Sequence, residues 1–272
     1  MYTPRRPRPE RALITGAAGG VGSATARRLV ADGARVALTD IDQDRVRALA
    51  AEIGSAAVVL PADGTDSDGV AAVVEGAVGE LGGLDTVVAA QGAAVGGGVD
   101  PRHTESWNRA LDVNLHGTFH VAGSALPHLV EASGSLVLLA STAGLIAGPP
   151  GAAGYTAAKA AVIGLTRWLA RDYGPRGVRV NAVCPGFVRT PLAQGSMAYL
   201  AKREGITADE AFALSARHVP LRRVAEPEEI AACCAFLASG DASMVTGHVL
   251  VADGGGAAVD ASTVAFDPPP VP

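Results

Sequence analysis

The sequence predicts an α/β protein: a doubly wound, parallel, seven-stranded sheet with helices on both faces. Three observations carry this. Seven short apolar runs alternate with longer stretches of helical spacing, the order that such a sheet needs. Most of the runs are apolar at every position rather than at every second one, as strands must be when both faces of a sheet are covered. The turn after the first run is glycine-rich and opens directly onto a helical pattern.

In chain order the predicted strands are 11–15, 35–39, 56–61, 84–90, 135–140, 179–184 and 248–252. Helical spacing falls at 21–32, 42–53, 67–81, 104–133, 155–173 and 227–239. Residues 1–10 read as a flexible arm, basic but not followed by the apolar stretch of a signal peptide. Residues 11–256 read as one domain, a size that a single core suits. Segment 190–222 is too long for an ordinary connection and reads as a substrate loop. Residues 257–272 end in DPPPVP, where prolines forbid regular structure, and read as a flexible tail or a strap onto a neighbouring subunit.

Composition removes several functions. The chain is 49% hydrophobic over 272 residues, which argues against disorder over most of its length. A net charge of −5 leaves no basic surface for nucleic acid or anionic membrane, so a small-molecule partner fits better. No apolar run approaches the roughly 18 residues of a membrane span. Cys184, Cys233 and Cys234 have no Cys-x-x-Cys spacing, so neither a disulfide framework nor a metal site is expected, and a reducing, cytoplasmic setting is.

Chemistry is concentrated in 141–159, STAGLIAGPPGAAGYTAAK. Tyr155 and Lys159 stand four apart, so on a helix they share a face one turn apart. The chain has four Tyr and only two Lys, and chance would supply about 0.03 such pairs, which makes the spacing informative. A free phenol titrates near pH ~10 and exchanges protons poorly at neutrality; an adjacent ammonium is expected to lower it.

The other motif is the turn Thr15–Gly22. Gly16, Gly20 and Gly22 permit a tight turn and close approach to a pyrophosphate, with the helix opening near Val21 supplying free N–H groups. Chance gives about 0.5 such glycine spacings in a chain this rich in Gly, so the weight lies in the strand-turn-helix context. Asp40 ends the second run, where a carboxylate can take both ribose hydroxyls of an adenosine and repel a 2′-phosphate. Its alternative role is to cap the helix that follows Asp42.

These residues, with Asp63, Asn114 in DVNLHGTF, Ser141, Pro185-Gly186 followed by Thr190, and the closing VTGHVLVADGG, resemble the short-chain dehydrogenase/reductase family over roughly residues 10–256. The resemblance implies a Rossmann-like, dinucleotide-binding catalytic domain using NAD. It places Tyr155 as the proton donor and acceptor, Ser141 on the substrate oxygen, Lys159 on the nicotinamide ribose, and Asn114 on a water that extends a proton path. It implies cofactor contacts at Gly16, Gly20, Val21, Gly22, Asp40, Ile41, Asp63, Gly64, Gly92, Tyr155 and Lys159, and at Pro185, Gly186, Val188 and Thr190 near the carboxamide. Phe187, Leu192 and Met197 then become pocket wall, or equally core. The implied substrate is a secondary alcohol or ketone, and the scarcity of charge near the presumed pocket favours an uncharged, cyclic one. Small residues Ala157, Ala160, Ala161 and Gly164, with the family's habit of pairing this helix and that at 104–133 across a two-fold axis, imply a homodimer or homotetramer.

The rival reading is an NAD-binding regulatory or scaffold protein with a lapsed active site; the intact set Asn114, Ser141, Tyr155 and Lys159 speaks against it. One departure stands out. Where the family usually has Asn-Asn-Ala-Gly, this chain has Ala89-Ala90-Gln91-Gly92, and nothing in the sequence says what Gln91 does.

Overall fold

The computed structural model describes residues 9–266. Its strands are β1 (Arg11–Thr15), β2 (Arg35–Thr39), β3 (Ala57–Val59), β4 (Thr86–Ala89), β5 (Ser135–Leu139), β6 (Arg179–Pro185) and β7 (Val249–Ala252). All pair in parallel, in the order β3-β2-β1-β4-β5-β6-β7. The winding therefore reverses between β1 and β4, and the crevice for a ligand falls outside the carboxyl ends of those strands.

The reason that every position of a strand is apolar is visible in β1. Leu13 packs into one layer with Val74, Leu129 and Val162, while Ala12 and Ile14 pack into the other with Leu29, Leu49 and Ile230. Side chains alternate between faces, and here both faces are interior. Helices α3 (Ser67–Leu81), α5 (Gly117–Ala132) and α6 (Ala153–Tyr173) supply the first layer; α1 (Gly20–Ala31), α2 (Gln43–Ile53) and α9 (Pro227–Ala238) supply the second. Start signals match: Asp42 caps α2 by accepting from the Arg45 N–H (3.1 Å), and Asp66 caps α3 by accepting from Asp68 (3.1 Å). Buried Arg179 donates to the carbonyls of Leu237, Ala238 and Ser239 at the end of α9, satisfying groups that a helix C-terminus leaves open.

Two stretches differ from expectation. The helical pattern at 104–133 is not one α-helix. It is α4 (Thr104–Leu111), a π-helical turn over Asp112–His116 and then α5, so the register shifts at Asn114. Such turns are rare and gather at functional sites. The segment 190–222 is not an irregular loop either. It contains α7 (Pro191–Glu204) and α8 (Ala208–Ser215), the latter opened by a Thr207–Glu210 capping box. These two helices hold a small core of their own, Ala193, Met197, Ala211 and Phe212, separate from the two main layers. Met197 is 2% exposed, so of the three candidate wall residues it is core, whereas Phe187 (42%) and Leu192 (45%) face outward.

The arm predicted at 1–10 lies outside the described residues as far as residue 8, as does the tail from 267 on. Within the described part of the tail, Ala261–Phe266 form a 3-10 stretch. Among the described residues no helix is long and apolar enough to cross a membrane, and no cluster of potential metal ligands occurs.

Candidate active site

The glycine turn is built so tightly that side chains are excluded. A Cβ on Gly16, whose φ is +64°, would lie 2.6 Å from the Gln91 nitrogen, and one on Gly22 would lie 2.1 Å from the Gly16 carbonyl oxygen. A Cβ on Gly20 would lie 2.6 Å from Thr190 Cγ2, which shows that the segment following β6 reaches back onto the turn. The first turn of α1 has no acidic residue and no side-chain cap, so its positive end is left to face an anion. A pyrophosphate fits this cradle.

Asp40 is not a helix cap, since Asp42 fills that place. Its Oδ2 accepts from the Ala18 N–H in the glycine turn (3.0 Å) and its Oδ1 from the Asp42 N–H (3.0 Å). The carboxylate is thus fixed at the edge of the cleft, beside an exposed Ile41. Asp63 Oδ1 accepts from the Thr65 N–H (2.9 Å) and hydroxyl (2.8 Å), and these two bonds, with Arg109 adding a weaker pull, hold its carboxyl below the ordinary value. One concavity takes in Gly16, Asp40, Ile41, Asp63, Gly64 and Gly92; Ser141, Tyr155 and Thr190 lie outside its lining.

Strand β5 and helix α6 bring the remaining groups together. Ser141, just after β5, accepts from the Ala143 N–H (3.1 Å), the local turn bond that such a position commonly makes, and its hydroxyl lies near enough to Tyr155 to favour the phenolate. Lys159 Nζ stands 5.7 Å from the Tyr155 ring centre and donates to the Leu139 carbonyl at the end of β5 (2.8 Å). Asn114, fully buried, donates from Nδ2 to the carbonyls of Ala93 and Ala110 (both 3.0 Å) and accepts at Oδ1 from the Ala93 N–H (3.2 Å). A Cβ on Gly92 would come within 3.0 Å of that Oδ1 and 3.4 Å of Lys159 Nζ, so Gly92 is wedged between the two. Beyond β6, Gly186 packs on Asp253, Val188 pairs with Ala225, and Thr190 is the N-cap residue of α7.

One expectation is overturned. Lys159 was to lower the Tyr155 phenol; instead burial pushes the phenol above its ordinary value, with the Ser141 hydrogen bond pulling the other way. The same burial brings Lys159 down to about 8. Desolvation disfavours both charged forms and is the largest cause of each shift in the cofactor-free chain. The third buried group, Cys184, is pushed up to about 11 by burial and is a poor nucleophile.

Sequence reasoning passed over three residues of the cleft. Thr39 lines it with a buried hydroxyl that has no partner among the described residues, Arg109 lines it beside Asp63, and Gln91 spans it. The signal for Gln91 was present as a departure from pattern; nothing local marked the other two.

A family profile described as enoyl-(acyl carrier protein) reductase matches residues 16–256. Protein MoaE of Klebsiella aerogenes is 42% identical over 93% of this chain and 98% of its own length. The cis-4-hydroxycyclohexanecarboxylate dehydrogenase of Sinomonas cyclohexanicum is 40% identical over 91% of this chain and 96% of its own. Among solved structures, the 3-ketoacyl-(acyl-carrier-protein) reductase of Brucella melitensis complexed with NADH superposes with a TM-score of 0.80 at 31% identity, covering 91% of this chain and 98% of that one.

Proposed function

The chain belongs to the short-chain dehydrogenase/reductase family of oxidoreductases, and from that premise we propose that it moves a hydride between NAD and a secondary alcohol or its ketone. The observation that carries the reading is the meeting of Ser141, Tyr155 and Lys159 at the carboxyl end of β5, beside a glycine cradle shaped for a pyrophosphate. Nicotinamide, when bound, supplies the hydride acceptor or donor. This chain handles the proton. Tyr155 takes it from the alcohol oxygen or returns it to the ketone oxygen, and Ser141 holds that oxygen by a hydrogen bond. Lys159 holds the nicotinamide ribose, and a water between it and Asn114 carries the proton onward. Gly16, Gly20, Val21 and Gly22 hold the phosphates, Asp40 and Ile41 the adenosine ribose, Asp63, Gly64 and Gly92 the adenine side, and Pro185, Gly186, Val188 and Thr190 the carboxamide.

The substrate favoured is a small cyclic alcohol. One similar protein is named for a hydroxycyclohexanecarboxylate, a cyclic alcohol that also bears a carboxylate, and Phe187 and Leu192 offer an outward apolar surface just after β6. The test is a panel of cyclic secondary alcohols with NAD, read by the absorbance of the reduced cofactor. Tight NAD binding without turnover of any alcohol would favour the regulatory reading.

NAD should be preferred to NADP, because Asp40 would face an added phosphate at short range. Asp40→Ala is expected to narrow the ratio of the two dissociation constants by about tenfold or more, the scale of losing one such charge contact. Equal affinity of the unaltered protein for both cofactors would displace Asp40 from the ribose.

We place the protein in the cytoplasm as a homodimer or homotetramer, with 11–256 as one catalytic unit and 190–222 over the substrate. Exposed Phe119 on α5 and Trp168 on α6 support the assembly. Sedimentation should find a dimer or larger at micromolar concentration; a monomer there would refute it.

A further inference from the structure

We infer that Gln91 is a positioning residue that ties the cofactor cradle to the proton-handling centre. Its side chain joins two elements. The Thr15 hydroxyl, at the end of β1, donates to Gln91 Oε1, and Gln91 Nε2 donates to Thr118 Oγ1 on α5 (3.4 Å). The network fixes the orientation of the amide. Thr118 gives its own proton to the Asn114 carbonyl (3.0 Å), so it can only accept from Gln91, which leaves Oε1 for Thr15.

The consequences run in both directions along the chain. The backbone nitrogen of Gln91 is the floor against which Gly16 turns, 2.6 Å from where a Cβ of Gly16 would sit. Two residues on, Ala93 exchanges two hydrogen bonds with the Asn114 side chain. Gly92 lies between them, with Asn114 Oδ1 and Lys159 Nζ facing the place a Cβ would occupy. The three residues 91–93 are thus pinned at one end to Thr15 and Thr118 and at the other to Asn114. A shift of Gln91 moves the glycine turn, Asn114 and the space beside Lys159 together. An alanine at 91 would keep the backbone contacts but make neither side-chain bond, and Ala89 and Ala90 bring no side-chain hydrogen bond of their own.

The inference rests on the cofactor reading above, and NAD binding measured by calorimetry tests it. Gln91→Met keeps the shape and removes both hydrogen bonds; NAD is expected to bind about tenfold more weakly, the scale of a lost hydrogen bond in a closed site. Thr15→Val should reproduce the loss and Thr15→Ser should restore unaltered affinity. Because Gln91 acts through the same segment as Asn114, adding Gln91→Met to Asn114→Ala should cost less than twofold more. If Gln91→Met does not fold, the Thr15→Val and Thr15→Ser pair carries the test alone. Unaltered NAD affinity in Gln91→Met or Thr15→Val, or losses that simply multiply with Asn114→Ala, would overturn the inference. Failure of the unaltered protein to bind NAD would instead overturn the proposed function.

Discussion

Tyr155→Phe should leave NAD affinity nearly unchanged while turnover of any alcohol substrate falls by about 10²-fold or more, the usual scale of a lost general acid/base. The substitution removes one oxygen and leaves the ring to pack between Ser141 and Lys159. Its pH signature follows from the burial of the phenol. Oxidation needs the phenolate to receive the alcohol proton, and in the cofactor-free chain the phenol is held above its ordinary value. The oxidation rate of the unaltered enzyme should therefore rise with pH and the reduction rate should fall. The midpoint is a property of the Tyr155 and Lys159 pair and of the charge on the bound cofactor rather than of the phenol alone. Rate profiles in both directions check this, and the Phe variant should lack the limb. Undiminished activity in the Phe variant would remove Tyr155 from the mechanism.

Lys159→Met should abolish most activity and yet make the protein more stable at pH 7. The ammonium is buried, and its one hydrogen bond among the described residues, to the Leu139 carbonyl, does not repay its lost hydration, which is why its pKa falls from 10.5 to about 8. A base with a depressed folded pKa costs stability in full below that value, and the cost is withdrawn as pH rises toward the unfolded value, because the unfolded chain then binds more protons than the folded one. The cost is on the order of a few kcal/mol. Leaving the Leu139 carbonyl without its donor offsets about 1 kcal/mol. A net gain of about 1–2 kcal/mol should appear as a rise of roughly 2–4 °C in Tm per kcal/mol. The gap between variant and unaltered protein should close between about pH 8 and 10.5. Thermal melts of the cofactor-free proteins at pH 7 and 10 measure both. A variant less stable at pH 7 would show that the buried charge is not a burden.

Both outcomes would express one arrangement, in which a site carries a destabilising charge because the chemistry uses it. The same holds for the π-helical turn, which gives up regular α-helical bonding at Asp112–His116 and in return sets Asn114 between Ala93 and Ala110.

What the sequence determined by itself is whatever depends on short repeats along the chain. Continuous apolar runs required strands covered on both faces, and helical spacing required the helices that cover them; the sheet and its two layers follow. The four-residue step from Tyr155 to Lys159 and the glycines at the start of α1 were legible for the same reason, since one turn of helix or one tight turn fixes their geometry locally. Tertiary structure alone decided what depends on distant neighbours. Whether Met197 faced a pocket or a core turned on the packing of α7 against α8, and whether Asp40 capped a helix or braced the glycine turn on which N–H lay nearest. The register shift at Asn114 and the bridge made by Gln91 join residues of separate elements, which no periodicity records. The sign of the Tyr155 shift is of this kind as well. Sequence put a cation beside a phenol and so suggested attraction, but the outcome depends on how far each is withdrawn from water, and desolvation is the largest cause acting on both.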